Sequence, residues 1–117
     1  MDAQIKTVTL GVADRKEVSR RAVEALKGRP QGAFISFATP ELLFSLLTAK
    51  RWEILRAMTS AGALSIRETA RRVSRDVKAV HGDVTALLNA GLLQKTESGQ
   101  VEFPFDAIKV DVMLRGE

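Results

Sequence analysis

The stretch from Ser65 to Phe103, SIRETARRVSRDVKAVHGDVTALLNAGLLQKTESGQVEF, constrains the fold of this chain more than any other. Ser65 followed three residues later by Glu68 has the form of a capping box, in which the serine accepts a hydrogen bond from an otherwise unsatisfied N–H of the first helical turn. The helix it opens has Ile66, Ala70 and Val73 on one side and Arg67, Arg71 and Arg72 on the other. Ser74-Arg75-Asp76 makes a polar turn, and Asp76 caps a second helix. From there positions 77, 80, 84, 87, 88 and 91 recur at helical spacing, and Gly91 supplies the left-handed residue that ends the helix. Leu92–Thr96 and Gln100–Phe103 then pair as strands around Glu97-Ser98-Gly99, with Pro104 closing the hairpin. Ahead of all this, Ala63-Leu64-Ser65 fits a short extra strand. The order is helix, turn, helix, hairpin, and the outward face of the second helix carries Lys78, His81, Gly82 and Thr85.

The flanking residues give this stretch its support. Ile5 to Val12 alternates, with Val8, Leu10 and Val12 on one side, and reads as a half-buried strand. Asp14 caps a helix from Arg15 to about Lys27 with an apolar stripe of Val18, Ala22, Ala25 and Leu26, ended by Gly28 and Pro30. Ala33 to Phe37 is a second strand, which completes a β-α-β unit too small to stand alone. Thr39-Pro40 starts a short apolar helix through Leu42, Leu43, Leu46 and Leu47. Thr48 caps the next helix, AKRWEILRAMTSAG, which ends at Gly62 and buries Trp52, Ile54, Leu55 and Met58. Phe44 and Trp52 are expected in the core, where aromatic side chains at helical spacing usually pack. Asp106 to Leu114 alternates once more and must pair either with the N-terminal strands or with a second subunit. The fold expected is α+β: a winged helix-turn-helix domain over 39–104, a β-α-β extension over 1–38, and a C-terminal strand over 105–117 that packs on the extension or on a second subunit.

The chemistry the chain can perform is limited by its composition. With one histidine and no cysteine among 117 residues, no zinc site of familiar spacing can be assembled, so no metal is expected. No glycine-rich phosphate loop is present and no nucleophile–base pair can be named, so neither a cofactor nor catalytic residues are expected. No apolar run approaches the ~20 residues of a membrane span. MDAQIKTVTLGVAD lacks the parts of a signal peptide, which makes the cytoplasm the expected compartment.

Charge is unevenly spread. Residues 1–49 carry +2, residues 50–78 carry +5 and residues 79–117 carry −3. A concentrated basic segment is the electrostatic footprint of a nucleic-acid surface, and it is also what an ordinary solvated helix face looks like. If the second helix reads double-stranded DNA, Lys78, His81 and Thr85 are placed to meet base edges, and flanking Arg and Lys side chains to hold phosphates. The phosphate candidates are Lys50, Arg67, Arg71, Arg72, Arg75 and Lys95. RNA binding through the same basic helices is not separated from DNA binding by the sequence, but the lack of exposed stacking aromatics of the kind single-strand readers use counts against it. A different class of function also fits: a protein-interaction module, using the strand edges of the extension and the C-terminal strand to hold a partner.

The motifs LTAKRWEIL, LSIRETARR, RDVKAVHGDV and ALLNAGLL, with the β-α-β start, resemble small prokaryotic winged helix-turn-helix regulators of the MarR-like class. A closer likeness is to DNA-binding antitoxins of the TumA-like group. The resemblance implies a transcriptional regulator, autoregulating and partnered with a cognate toxin, that binds operator DNA as a homodimer. It places Asp76 to Asn89 as the recognition helix and Arg67, Arg71, Arg72 and Arg75 on the positioning helix and turn. One departure stands out: the group's VH-basic-DV pattern has Gly82 in its basic slot. Glycine there removes a potential DNA contact and costs about 1 kcal/mol of helix propensity relative to alanine. The hairpin is lean in positive charge, with Lys95 against Glu97 and Glu102.

Overall fold

A computed structural model of the chain describes residues 5–12, 15–27, 33–114 and 116. The described residues form an α+β structure of five helices and five strands. They divide into two compact units, residues 1–45 with 107–117 and residues 46–106. The division thus falls at the end of the second helix rather than ahead of its start, and the C-terminal strand belongs with the N-terminal residues.

In the first unit, β1 (Thr7–Val12), α1 (Arg15–Leu26) and β2 (Ala33–Phe37) follow one another. β1 pairs with β2 in parallel, Leu10 beside Ile35, with α1 as the crossover that parallel pairing requires. The C-terminal strand β5 (Ala107–Asp111) lies on the other side of β1, again parallel, with Leu10 beside Val110. The sheet order is therefore β2-β1-β5. Of the two neighbours the sequence allows for the last strand, the chain's own β1 is the one it takes. As the middle strand, β1 buries Val8 and Leu10 completely, and Gly11 is buried with them. A side chain on Gly11 would bring its Cβ to 3.2 Å from the Asp111 carbonyl oxygen and 3.2 Å from the Phe34 ring, so β5 and Phe34 approach β1 closely because no side chain stands there.

Several elements depart from their sequence pattern. The C-terminal strand stops at Asp111, and Met113 and Leu114 beyond it are exposed. Ala22 and Leu26, expected in the stripe of α1, are exposed too, and nothing among the described residues covers them. The Asp14 cap and the Gly28–Pro30 stop lie outside the described residues. α2 (Pro40–Leu46) begins as expected, with Thr39 Oγ1 accepting from the Leu42 N–H at 3.2 Å. Only Leu43 of this helix is buried, however, and Phe44 is 55% exposed. A seven-residue helix that is apolar nearly all round has more apolar surface than one contact face can hide.

The second unit holds α3 (Ala49–Met58), α4 (Ile66–Val73), α5 (Val77–Ala90) and the hairpin β3 (Gln94–Lys95) and β4 (Val101–Glu102). Thr48 caps α3 by accepting from the Arg51 N–H. The helix ends at Met58, short of Gly62, because Thr59 turns extended, its hydroxyl donates to Leu55 O at 2.8 Å, and Ser60 takes a left-handed φ of 60°. Ile54, Leu55 and Met58 are its buried face. Trp52 lies at the margin of that stripe and keeps 37% of its surface exposed, so it is not the core residue its spacing suggests. Ala70 and Thr69 of α4, and Val80, Val84 and Leu87 of α5, complete the helical core. Leu92, Leu93, Val101 and Phe103 extend it under the hairpin. Leu64 joins the edge of β4 through a pair of 2.8 Å hydrogen bonds with Val101. The hairpin ladder is shorter than its sequence pattern, Gln94 facing Glu102 and Lys95 facing Val101, and its turn closes through Gly99 at φ 83°.

Candidate nucleic-acid interface

The junction between α4 and α5 is fixed by local hydrogen bonds that the sequence encodes directly. Ser65 Oγ accepts from the Glu68 N–H at 3.0 Å, and the buried Thr69 hydroxyl donates to Ser65 O at 2.9 Å. Ser74 ends α4 in the left-handed conformation, φ 55° and ψ 47°, with its N–H on the carbonyls of Ala70 and Arg71. Asp76 then opens α5, its Oδ2 accepting from the N–H groups of Lys78 at 3.0 Å and Ala79 at 3.3 Å. Gly91 ends α5 at φ 88°.

A second fixture acts across elements. Asp83, on α5, receives Arg51 Nε from α3 at 2.9 Å on one oxygen and Arg75 Nη2 from the turn at 2.9 Å on the other. Arg51 also donates through Nη1 to Leu46 O at 3.0 Å. The three side chains keep 22%, 17% and 18% of their surface exposed, in the order Arg51, Asp83, Arg75. Burial by itself would raise the Asp83 carboxyl. The hydrogen bonds from Arg51 and Arg75, with their charges, outweigh it and hold the group below its usual range. Arg75, expected on a phosphate, is thus committed inward as a clamp on α5, and its Nη1 is buried without a hydrogen-bond partner.

The remaining arginines of α4 are arranged differently. Arg71 donates through Nε to Glu68 Oε1 at 2.8 Å and through Nη2 to Oε2 at 2.5 Å, and Arg72 Nε reaches Oε2 at 2.8 Å. The hydrogen bonds from Arg71 and then Arg72 lower the Glu68 carboxyl to about 2, so it is ionised at neutral pH. Glu68 reaches forward to these two side chains, and they carry its negative charge beside them. Both remain on the surface, Arg71 with 71% and Arg72 with 39% of the side chain exposed. Arg67 and Lys50 are exposed as well.

On α5, Lys78, His81 and Thr85 are all exposed. His81 and Thr85 line a groove of about 440 Å³ together with Asn89, and β3 contributes Gln94 and Lys95 to its other wall. Ile66, Leu88 and Leu93 supply its apolar lining. The fold therefore gathers two of the three expected base readers with the one basic residue of the hairpin, while Lys78 is not among the lining residues. Thr85 Oγ1 donates its hydrogen to His81 O at 2.8 Å, which leaves the hydroxyl to act as an acceptor. Gly82 has open space where a side chain would project, so its slot is empty rather than sterically required.

Sequence reasoning missed Asn89 and Gln94, whose amides carry both donors and acceptors suited to base edges. Asn89 follows Thr85 by one helical turn and was discoverable by that spacing. Gln94 was not, because its place depends on how β3 meets α5; its Nε2 lies 2.5 Å from Glu102 Oε1 across the hairpin. Among the described residues no group of three or more His, Asp or Glu could hold a metal ion, and no helix is long and apolar enough to cross a membrane.

The sequence profile of the HVO_A0114 family matches residues 46–110, more than half of the chain, and the protein belongs to that family. The match takes in the whole of the second unit and runs into β5. No curated protein matches the chain.

Proposed function

We propose that residues 46–106 are a winged helix-turn-helix domain that binds double-stranded DNA, and that the protein is a sequence-specific transcriptional regulator. α4 acts as the positioning helix, α5 enters the major groove, and the β3–β4 hairpin is the wing. The observation that carries this reading is the groove in which His81 and Thr85 of α5 stand with Lys95 of β3, in a unit whose α4 keeps Arg71 and Arg72 on the surface. Direct readout falls to His81, Thr85 and Lys78, with Asn89 added by the geometry. Phosphate contacts fall to Lys50, Arg67, Arg71, Arg72 and Lys95, with Arg75 holding the reading helix in place from behind. Action as an autoregulating antitoxin with a cognate toxin is the biological role that the resemblance to TumA-like proteins supports.

The test is a titration of duplex DNA from upstream of the protein's own gene, by fluorescence anisotropy between about 50 and 200 mM salt. Replacing Arg71 and Arg72 together by alanine is expected to weaken binding to every duplex and to flatten the log–log salt slope by about 2. An unchanged slope would remove both from the phosphate contacts. His81→Ala is expected to change which operator is preferred; equal losses on specific and random DNA would sink its readout role.

A further inference from the structure

β5 is an edge strand, with β1 on one side and no described strand on the other. Its outer edge is exposed over Lys109, Val110 and Asp111. The direction of its free peptide groups follows from one bond: the Ala107 N–H donates to Lys6 O at 3.2 Å. Along a parallel strand, alternate residues turn both N–H and C=O toward the same neighbour. Residues 107, 109 and 111 thus address β1, and Ile108 and Val110 present their N–H and C=O groups outward, with Val112 the next even position just past the strand.

We propose that this edge is the dimerisation surface of the protein, adding β5 of a second copy in antiparallel register centred on Val110. A two-fold axis beside an edge strand makes the new pair antiparallel, and it pairs each residue with its mirror position about the axis. Outward-facing groups at even positions allow few centres. An axis at Lys109 sets Lys109 against itself, and one at Asp111 sets two carboxylates against each other; both are repulsive. An axis at Val110 sets Lys109 of each copy against Asp111 of the other, twice over, with Ile108 opposite Val112 and Val110 opposite Val110. The sequence IKVDV is self-complementary in this register alone, in charge on one face and in shape on the other. The opposite edge, β2, reads Ala-Phe-Ile-Ser-Phe and carries no charge to set a register. Two copies joined this way share one continuous six-stranded sheet, β2-β1-β5 meeting its symmetry mate.

The full-length chain at micromolar concentration in sedimentation equilibrium is the test, with circular dichroism melts confirming that each variant folds. Wild type is expected to be dimeric. Lys109→Asp and Asp111→Lys, each of which creates two like-charge pairs, are expected to weaken the dimer about tenfold or more, and the double exchange to restore it. A further variant is independent of charge. The two Val110 Cα atoms would lie ~5.5 Å apart, within disulfide reach, and the chain has no cysteine of its own. Val110→Cys is therefore expected to form a covalent dimer under mild oxidation, where Lys109→Cys does not. A monomeric wild type overturns the proposal. So does a dimer indifferent to the single charge reversals, a double exchange as weak as the singles, or a Val110→Cys chain that stays uncrosslinked.

Discussion

Glu68 sits three and four residues ahead of two arginines and takes hydrogen bonds from both. In a capping box the glutamate turns back to the helix start; here the pull of two guanidiniums on its surface carboxylate draws it forward. The consequence bears on the proposed DNA binding more than on stability. If Arg71 and Arg72 bind phosphate as proposed, a carboxylate held between them both competes with phosphate and repels it. Glu68→Gln is expected to raise affinity for any duplex by about two- to fivefold at ~0.1 M salt, measured by anisotropy, because the released arginines are free to meet phosphate. A fall in affinity would assign the pair Glu68 and Arg71 a positioning task instead. Since the Glu68 carboxyl is lowered from 4.5 to about 2, whatever the pairing adds to the helix is fully present above pH 4.5 and is lost as the pH falls toward 2.

Among the elements, α5 shows how local and distant contacts divide the work of holding one helix, here the proposed reading helix. Its two ends are set by Asp76 and Gly91, both visible as cap residues in the sequence. Its orientation is set by Asp83, which ties it to α3 through Arg51 and to the turn through Arg75. Nothing in the spacing of 51, 75 and 83 announces that pairing, since the partners lie on separate elements. Asp83→Asn leaves two partly buried guanidiniums facing a neutral amide, and is expected to cost about 1–3 kcal/mol in denaturant unfolding. The sign of the pH effect follows from the lowered carboxyl. The stabilisation is present above the ordinary aspartate value of 3.8 and is lost as the pH falls through the lower folded value. The gap between wild type and variant is therefore expected to narrow in acid below about pH 4. A constant gap would show that Asp83 acts by packing and not by charge.

At the scale of the whole molecule, the chain's two ends meet in one sheet. β1 lies between a strand that follows it closely and one that arrives from residue 107 onward, and the close fit at Gly11 depends on that late arrival. Gly11→Val would drive a branched side chain against the Asp111 carbonyl and the Phe34 ring. It is expected to cost about 1–3 kcal/mol, seen as a melting temperature lowered by several degrees. It should also weaken self-association, because the edge of β5 is carried by the same ladder. A variant as stable as wild type would mean that β5 is held only loosely on β1. The basic segment 50–78 falls within the second unit, so charge and sheet are assigned to different parts of the chain.

The caps at Thr39, Thr48, Ser65 and Asp76, the glycine stop at 91, the α4–turn–α5–hairpin order and the first two strands were all legible in the sequence, because each is written in residues close to one another along the chain. Short-range hydrogen bonds and a 3.6-residue period need no knowledge of the rest of the chain. The partner of β5, the inward turn of Arg75, the exposure of Phe44 and Trp52, and the meeting of Gln94 and Lys95 with α5 were decided only by the tertiary structure. Each depends on which surfaces remain uncovered once the elements have packed, and on charges that become neighbours only through the fold.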